Sequence, residues 1–207
     1  MRLVLVRHGE TDGQSSIRYY GATDVGLSDL GRAQMRCAAA ALAGERFAAV
    51  YASNLSRARE GARIVSVCRE PVIALPGFNE VDFGEWEGLT DDEIRAHDPA
   101  RHAEWRAHLA ARRDFQYPAG DSTAAFRRRV AATLHALLDV APRGALLMVL
   151  HKGVIRTILS ELLQLDTPDR SHLALDLGSI HVVAARDGRW RAEVLDRVDH
   201  LTIAETR

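Results

Sequence analysis

The stretch Leu3-Val-Leu-Val-Arg-His-Gly-Glu-Thr11 carries the strongest indication of the fold. Four apolar residues in succession predict a strand that is buried on both faces. The run then ends abruptly in charged residues, a histidine and a glycine, which predicts a loop at the edge of a sheet. A buried strand that leads into such a loop is typical of α/β proteins.

Outward from this stretch, apolar runs alternate with amphipathic helical segments. We predict further strands over 47–52, 72–75 and 145–150, and helices over 28–43, 54–67, 121–140 and 153–165. Asp187-Gly188 separates two alternating runs and predicts an antiparallel hairpin over 180–195. The pattern therefore predicts an α/β fold: a three-layer α/β/α sandwich with a mostly parallel sheet, a closing antiparallel hairpin and a small helical insertion.

The insertion is expected over about residues 90–118. Thr90-Asp-Asp-Glu93 has the pattern of a capping box and predicts a helix start. Pro99 interrupts this helix, and a charged helical stretch follows it. A length of 207 residues fits a single domain over 1–207 with this insertion.

Composition restricts the class of partner. Lys and Arg together number 27, Asp and Glu 28, and the formal net charge is -1. This balance predicts neither a nucleic-acid nor a membrane partner, so an anionic substrate has to be met by a local cluster of positive charge. Cys37 and Cys68 form no CxxC pair and are interpreted as reduced thiols of a cytoplasmic protein.

Five candidate functional residues follow predicted strands. Arg7 and His8 follow the first, Arg57 the second, Glu80 the third and His151 the fourth. Ligands of parallel sheets bind beyond the carboxyl ends of the strands, so we expect these side chains to meet at one edge.

Such a set suits phosphoryl transfer. Guanidinium groups match the geometry of phosphate oxygens and stay charged. A neutral imidazole can act as a nucleophile and form phosphohistidine. A carboxylic acid can protonate the departing alkoxide, and a second histidine can donate to the phosphate.

Five motifs, in order and spacing, resemble those of the histidine phosphatase superfamily, which includes the phosphoglycerate mutases. Arg7-His-Gly-Glu-Thr11 is similar to its opening signature. Further similar segments are 21–31, 53–58, 79–88, and 120–122 with 150–156.

The resemblance implies a role for each matched residue. His8 would be the nucleophile, and Arg7, Arg57 and His151 would form the phosphate pocket. Glu80 would protonate the leaving group and later activate water, although Asp82, Glu85 and Glu87 are rivals for that role. Arg18 and Gly21 fall in the substrate loop. The family needs no metal or other cofactor, and the seven remaining histidines show no metal-ligand spacing.

Three positions depart from the family pattern. Asn54 replaces a residue that is often proline or aspartate, and it is expected to matter little. Gln14 stands where an asparagine that touches the phosphate is usual, and its longer amide can make the same bond. Lys152 stands where a glycine is common. It either adds positive charge for a polyanionic substrate or points to solvent, and both readings remain open.

We therefore expect a metal-independent phosphomonoester hydrolase that acts through phosphohistidine on a small phosphorylated metabolite, with broad or ribazole-phosphatase-like specificity. One alternative is a cofactor-dependent phosphoglycerate mutase, although this chain is compact and the mutases tend to be longer. The other is a non-enzymatic or phosphoprotein-directed regulatory member of the fold, which the intact site residues and the insertion disfavour. A homodimer is the one macromolecular partnership left open.

Overall fold

A mixed six-stranded sheet forms the centre of the protein. The computed structural model describes residues 1–67, 70–111, 113–164 and 173–203, so Cys68 and His172 lie outside it. The strands are β1 (Arg2–Arg7), β2 (Phe47–Ala52), β3 (Val72–Ala74), β4 (Ala145–Leu150), β5 (Ile180–Arg186) and β6 (Arg189–Arg197). Their order is β3-β2-β4-β1-β5-β6. The first four are parallel to one another, whereas β5 pairs antiparallel with β1 and with β6.

Helices cover both faces of the sheet. They are α1 (Asp29–Ala41), α2 (Ser56–Val65), α3 (Asp91–His97), α4 (Pro99–Ala111), α5 (Thr123–Val140) and α6 (Lys152–Leu163). Along β1, Val4 and Val6 belong to one hydrophobic core with residues of α1 and α2. Leu3 and Leu5 belong to a second core with residues of α5 and α6. Because successive side chains of a strand point to opposite faces, the layers are α/β/α, and the predicted fold class is confirmed.

Local capping explains where several helices begin. The Ser28 hydroxyl accepts a hydrogen bond from the Gly31 N–H at 3.1 Å and caps α1. Thr90 and Glu93 form the predicted capping box of α3. Helix α6 begins at Lys152, one residue before the predicted start, so that His151 occupies its N-cap position.

Strand register brings the predicted site residues to one edge. Arg7, the last residue of β1, is paired with Leu150, the last residue of β4. The His8 N–H then donates to the Leu150 carbonyl at 3.0 Å. In β2, Ala52 is paired with Val149, so the loop that begins at Ser53 starts at the same level. Within the described residues, no helix has both the length and the apolar character needed to cross a bilayer.

Candidate active site

A cleft of about 820 Å³ opens at this edge of the sheet. Its walls are Arg7, His8, Ser15, Ser16, Ile17, Arg18, Tyr19, Tyr20, Gln34, Glu80, Phe83, Asp91, Lys152, Asp176, Leu177, Val198 and Leu201. Arg57 and His151 are fully buried beside it. The structure thus brings together the five residues that follow the predicted strands.

His8 is held as a neutral imidazole with a defined tautomer. Its Nδ1 lies 2.8 Å from the carbonyl oxygen of Gly9. A carbonyl can only accept, so Nδ1 carries the proton and Nε2 holds the free lone pair. Burial, with the nearby charges of Arg57 and Arg7, lowers the pKa of His8 well below its usual value. The ring is therefore neutral at neutral pH, and its Nε2 lone pair is available.

His151 lies beside His8 and is oriented by Ser53. The two imidazole centroids are 5.0 Å apart in an edge-to-face arrangement. His151 Nε2 is 2.6 Å from the Ser53 hydroxyl, and the Leu55 N–H donates to that same hydroxyl at 3.2 Å. Burial and the charge of Arg57 also lower the pKa of His151. The sequence analysis did not assign Ser53 a role, although it opens the 53–58 motif.

Arg57 is anchored by the backbone of the 20–23 loop. Its side chain is 0% exposed. Nη1 donates to the Thr23 carbonyl at 2.8 Å, and Nη2 donates to the Gly21 carbonyl at 2.7 Å and that of Tyr20 at 3.2 Å. Carbonyl oxygens orient a guanidinium without cancelling its charge, so Arg57 remains available to an anion.

Arg7 is anchored in a similar way from the other side of the cleft. Its Nη1 donates to the Leu175 carbonyl at 2.7 Å. Burial lowers the pKa of Arg7 to about 10, which still leaves the group charged at neutral pH. Neither Arg7 nor Arg57 forms a salt bridge with any carboxylate of the described residues, and two buried cations with this environment favour an anionic ligand.

Most of the buried side-chain nitrogens that lack a hydrogen-bond partner within the described residues lie at this site. Across the described part of the chain, four buried side-chain nitrogens lack a hydrogen-bond partner, and three belong to this site: Arg7 Nε, Arg57 Nε and His151 Nδ1. An unpaired buried donor costs about 1–3 kcal/mol, which a bound oxyanion would recover.

Of the four carboxylates considered for the role of proton donor, Glu80 is the one that lines the cleft. It is 7% exposed. Its Oε1 accepts from the Val81 N–H at 2.9 Å, and its Oε2 accepts from the Gly153 N–H in the first turn of α6 at 2.7 Å. None of the rival carboxylates Asp82, Glu85 and Glu87 lines the cleft.

Glu87 has a supporting task that the sequence analysis did not identify. Its carboxylate accepts from the backbone N–H groups of Gly21, Ala22, Thr23 and Phe83 at 3.0 to 3.2 Å. The Gly21 and Thr23 carbonyls hold Arg57, so Glu87 fixes the loop that orients this guanidinium. A glutamate in a loop gives no sequence signal for bonds with a segment more than 60 residues away.

The predicted substrate loop is present, but its residues differ in accessibility. Arg18 lines the cleft, while its Nη1 donates to Glu93 at 2.8 Å and to the Gly88 carbonyl at 2.7 Å. Gly21 is buried, and a Cβ there would lie 1.7 Å from the Val81 carbonyl oxygen. Gly21 therefore acts through its backbone, because a side chain at this position would clash with the Val81 carbonyl.

Gln14 and Lys152, two of the departures from the family pattern, lie in different places in the structure. Lys152 lines the cleft with much of its side chain exposed, and partial desolvation by the cleft walls, together with the charge of Arg7, lowers its pKa. Gln14 is exposed, has a φ of +62°, and is absent from the lining of the cleft. Ser15 and Ser16 line this part instead. The structure does not bring the Gln14 side chain to the other predicted residues.

Comparisons with known proteins agree with this geometry. The adenosylcobalamin/alpha-ribazole phosphatase of Salmonella typhimurium is 31% identical over 200 residues, which cover 95% of this chain and 96% of the relative. The metal-independent phosphoserine phosphatase of Arabidopsis thaliana is 30% identical over 207 residues, 97% of this chain and 83% of the relative. A mycobacterial glucosyl-3-phosphoglycerate phosphatase, solved with VO3, superposes with a TM-score of 0.82 at 27% identity and covers 95% of this chain and 99% of its own. The family profile of the histidine phosphatase superfamily (branch 1) matches residues 3–197, and this chain belongs to that family.

Proposed function

We propose that this protein is a phosphatase that hydrolyses small phosphomonoesters, with His8 carrying the phosphoryl group from the substrate to water. The observation that carries the proposal is the state of His8. Its Nδ1 is hydrogen-bonded to Gly9 and its lone pair is on Nε2. Beside it lie two guanidinium groups that form no salt bridge with a carboxylate of the described residues. This is the arrangement that an attack on phosphorus requires.

In the first half-reaction, His8 Nε2 forms a bond to phosphorus as the ester P–O bond breaks. Arg7 and Arg57 offset the charge on the equatorial oxygens. His151 Nδ1 is a further buried nitrogen, and it has no hydrogen-bond partner in the part of the chain that the structure describes. Glu80 in its protonated form gives its proton to the departing alkoxide. The products are an alcohol, phosphohistidine and the Glu80 carboxylate.

In the second half-reaction, water attacks the same phosphorus atom. The Glu80 carboxylate takes a proton from the water as the P–N bond to His8 breaks. Inorganic phosphate leaves, His8 regains its lone pair on Nε2, and Glu80 is again protonated. The Gly9 carbonyl keeps the proton on Nδ1 in both half-reactions, so His8 ends the catalytic cycle in the tautomer in which it began.

The substrate we propose is a small phosphorylated metabolite in the cytoplasm. The cleft volume of about 820 Å³ lies in the range of small-molecule sites. The relatives are named for alpha-ribazole, phosphoserine and glucosyl-3-phosphoglycerate, which differ widely in their alcohol part. All three are named as phosphatases, and this shared activity supports a phosphorylated metabolite as the class of substrate.

Hydrolysis of p-nitrophenyl phosphate in the presence of EDTA tests the function. We expect turnover without added metal, and transient labelling of the protein by a ³²P-phosphomonoester. His8→Ala should remove both, while His97→Ala, which alters an exposed histidine of α3, should leave both unchanged. Activity that requires a divalent cation, or label that persists in His8→Ala, would contradict the proposal.

The mutase alternative is tested with 3-phosphoglycerate and a trace of 2,3-bisphosphoglycerate. We expect release of inorganic phosphate to exceed any formation of 2-phosphoglycerate. The opposite ratio would assign the phosphohistidine to a mutase, since the first half-reaction is common to both.

A further inference from the structure

A β-bulge interrupts the pairing of β5 with β6 beside the site. One residue of β5, His181, faces two residues of β6, Leu195 and Asp196, because the register shifts at this point. Asp196 has a φ of +51°, a conformation that residues with a side chain rarely adopt. Such a conformation persists only where the surroundings hold it, and it turns the Asp196 side chain out of the strand pattern.

The Asp196 carboxylate binds the loop that precedes β5. Its Oδ1 accepts from the Leu175 N–H at 2.8 Å, and its Oδ2 accepts from the Ala174 N–H at 3.0 Å. Leu175 is fully buried and also has a positive φ, +50°. Two charge-assisted bonds to consecutive N–H groups therefore fix the backbone on the N-terminal side of Leu175.

The carbonyl of the same Leu175 accepts the 2.7 Å bond from Arg7 Nη1. The backbone of Arg7 is tied to this loop as well, since its N–H donates to the Ser179 carbonyl and its carbonyl accepts from the Gly178 N–H. A shift of Leu175 would therefore move the acceptor that orients the Arg7 guanidinium.

The buried imidazole of His181 fixes the backbone of Asp196. The Asp196 N–H donates to His181 Nδ1 at 3.1 Å, so the ring proton is on Nε2 and is donated to the Ser179 hydroxyl at 3.0 Å. His181 is fully buried and makes no contact with the cleft lining through these bonds. The bulge, the buried histidine and the loop form one hydrogen-bonded unit that ends at Arg7.

We propose that Asp196 is a positioning residue for phosphate binding, which acts by fixing Leu175 so that its carbonyl aims the Arg7 guanidinium into the cleft. Asp196 itself is outside the cleft lining and does not touch the substrate. The inference rests on the proposed function, because it assumes that Arg7 binds the phosphoryl group.

A double-mutant cycle between Asp196 and Arg7 tests the inference. The variants are Asp196→Ala, Asp196→Asn, Arg7→Lys and the two combinations. Asp187→Ala is the matched control, because Asp187 is an exposed aspartate of the same hairpin with a similar φ of +53°. Each variant is measured by kcat/KM for p-nitrophenyl phosphate and by the Kd of orthovanadate, so that a slow variant still yields a binding value.

We expect Asp196→Ala to lower kcat/KM and weaken orthovanadate binding by about tenfold or more in the Arg7 background. In the Arg7→Lys background the same change should have an effect of about twofold or less, because the two residues act as a unit. Asp196→Asn keeps one acceptor oxygen, so its loss in the Arg7 background should lie between about twofold and about tenfold. Asp187→Ala should match the wild type.

An equal loss in both backgrounds would show a general structural effect and would overturn the inference, as would wild-type behaviour of Asp196→Ala. If Asp196→Ala does not fold, the cycle is completed with Asp196→Asn and judged by the same criterion. A wild-type protein that neither hydrolyses p-nitrophenyl phosphate nor binds orthovanadate would instead refute the proposed function. Wild-type activity with an additive cycle refutes only the role of Asp196.

Discussion

The carboxylate of Glu80 accepts a hydrogen bond from the backbone N–H of Gly153, with 2.7 Å between Oε2 and the nitrogen. Gly153 lies in the first turn of α6, where N–H groups have no partner within the helix. A Cβ at position 153 would lie 2.4 Å from Glu80 Oε1. The absence of a side chain at Gly153 therefore allows Glu80 to lie against the first turn of α6.

Gly153→Ala should displace Glu80 and lower kcat. A displacement of about 1 Å can reduce a rate by up to about a hundredfold, because proton transfer depends on geometry. The measurement is kcat for an alkyl phosphate, with thermal unfolding to confirm that the variant is folded. Gly44→Ala is the control, since a Cβ at Gly44 meets nothing within 4 Å. An unchanged kcat in Gly153→Ala would show that Glu80 does not need this position.

Glu80→Gln should discriminate between leaving groups. The amide oxygen of Gln can still accept from Gly153, but the side chain cannot supply an acidic proton. We expect kcat/KM for an alkyl phosphate to fall by about 10²- to 10⁴-fold, while that for p-nitrophenyl phosphate changes far less because nitrophenolate needs no acid. The specificity constant reports the first half-reaction alone. Equal slowing of the two esters would remove Glu80 from the role of proton donor, and Glu85→Gln, at an exposed carboxylate, should affect neither.

Glu87→Ala should weaken phosphate binding through Arg57. Without the Glu87 carboxylate, the N–H groups of the 21–23 loop lose their acceptor. This loop holds the buried guanidinium of Arg57. A hydrogen bond to a charged group contributes about 1.5–3 kcal/mol, so we expect orthovanadate affinity to fall by about tenfold or more and the free energy of unfolding to fall too. Glu85→Ala serves as the control in both assays. Unchanged affinity in Glu87→Ala would show that Arg57 is oriented without the loop.

Acid should destabilise the fold through buried neutral histidines. Burial lowers the pKa of His181 from 6.5 to about 4, and burial also lowers the pKa of His8 and of His151. Between about pH 6.5 and pH 4, the unfolded chain binds a proton at His181 that the folded protein does not. The free energy of unfolding therefore falls as the pH decreases through this range. The contribution of His181 over this range is at most about 3 kcal/mol.

Urea unfolding as a function of pH measures this effect. The free energy of unfolding of the wild type should decrease from pH 6.5 towards about pH 4. His181→Gln removes one titrating group, so its slope against pH should be smaller by up to about one proton. An identical slope in wild type and His181→Gln would mean that His181 is not held neutral in the folded protein.

Much of the fold follows from local patterns in the chain. The apolar run of β1, the capping residues Ser28 and Thr90, and the Asp187-Gly188 turn each act on their own neighbours, so their effects can be predicted without knowing the rest of the fold. The rule that ligands bind beyond parallel strands then placed His8 and His151 at the same edge.

The contacts that complete the site join segments far apart in the chain. Ser53 binds His151 across 98 residues, and Glu87 binds Gly21 across 66. The same holds for Asp196 and Leu175, 21 residues apart across a bulge. No local pattern predicts such pairs, because each depends on how two distant loops pack.

The sequence by itself therefore determined the layer order, the starts of α1 and α3, and the set of residues suited to phosphate chemistry. Only the tertiary structure decided which tautomer His8 adopts, which of the four candidate acids lines the cleft, and that Gln14 lies outside it. Hydrophobic and capping patterns act over a few residues, whereas hydrogen bonds between loops depend on distances that exist only after the sheet has formed.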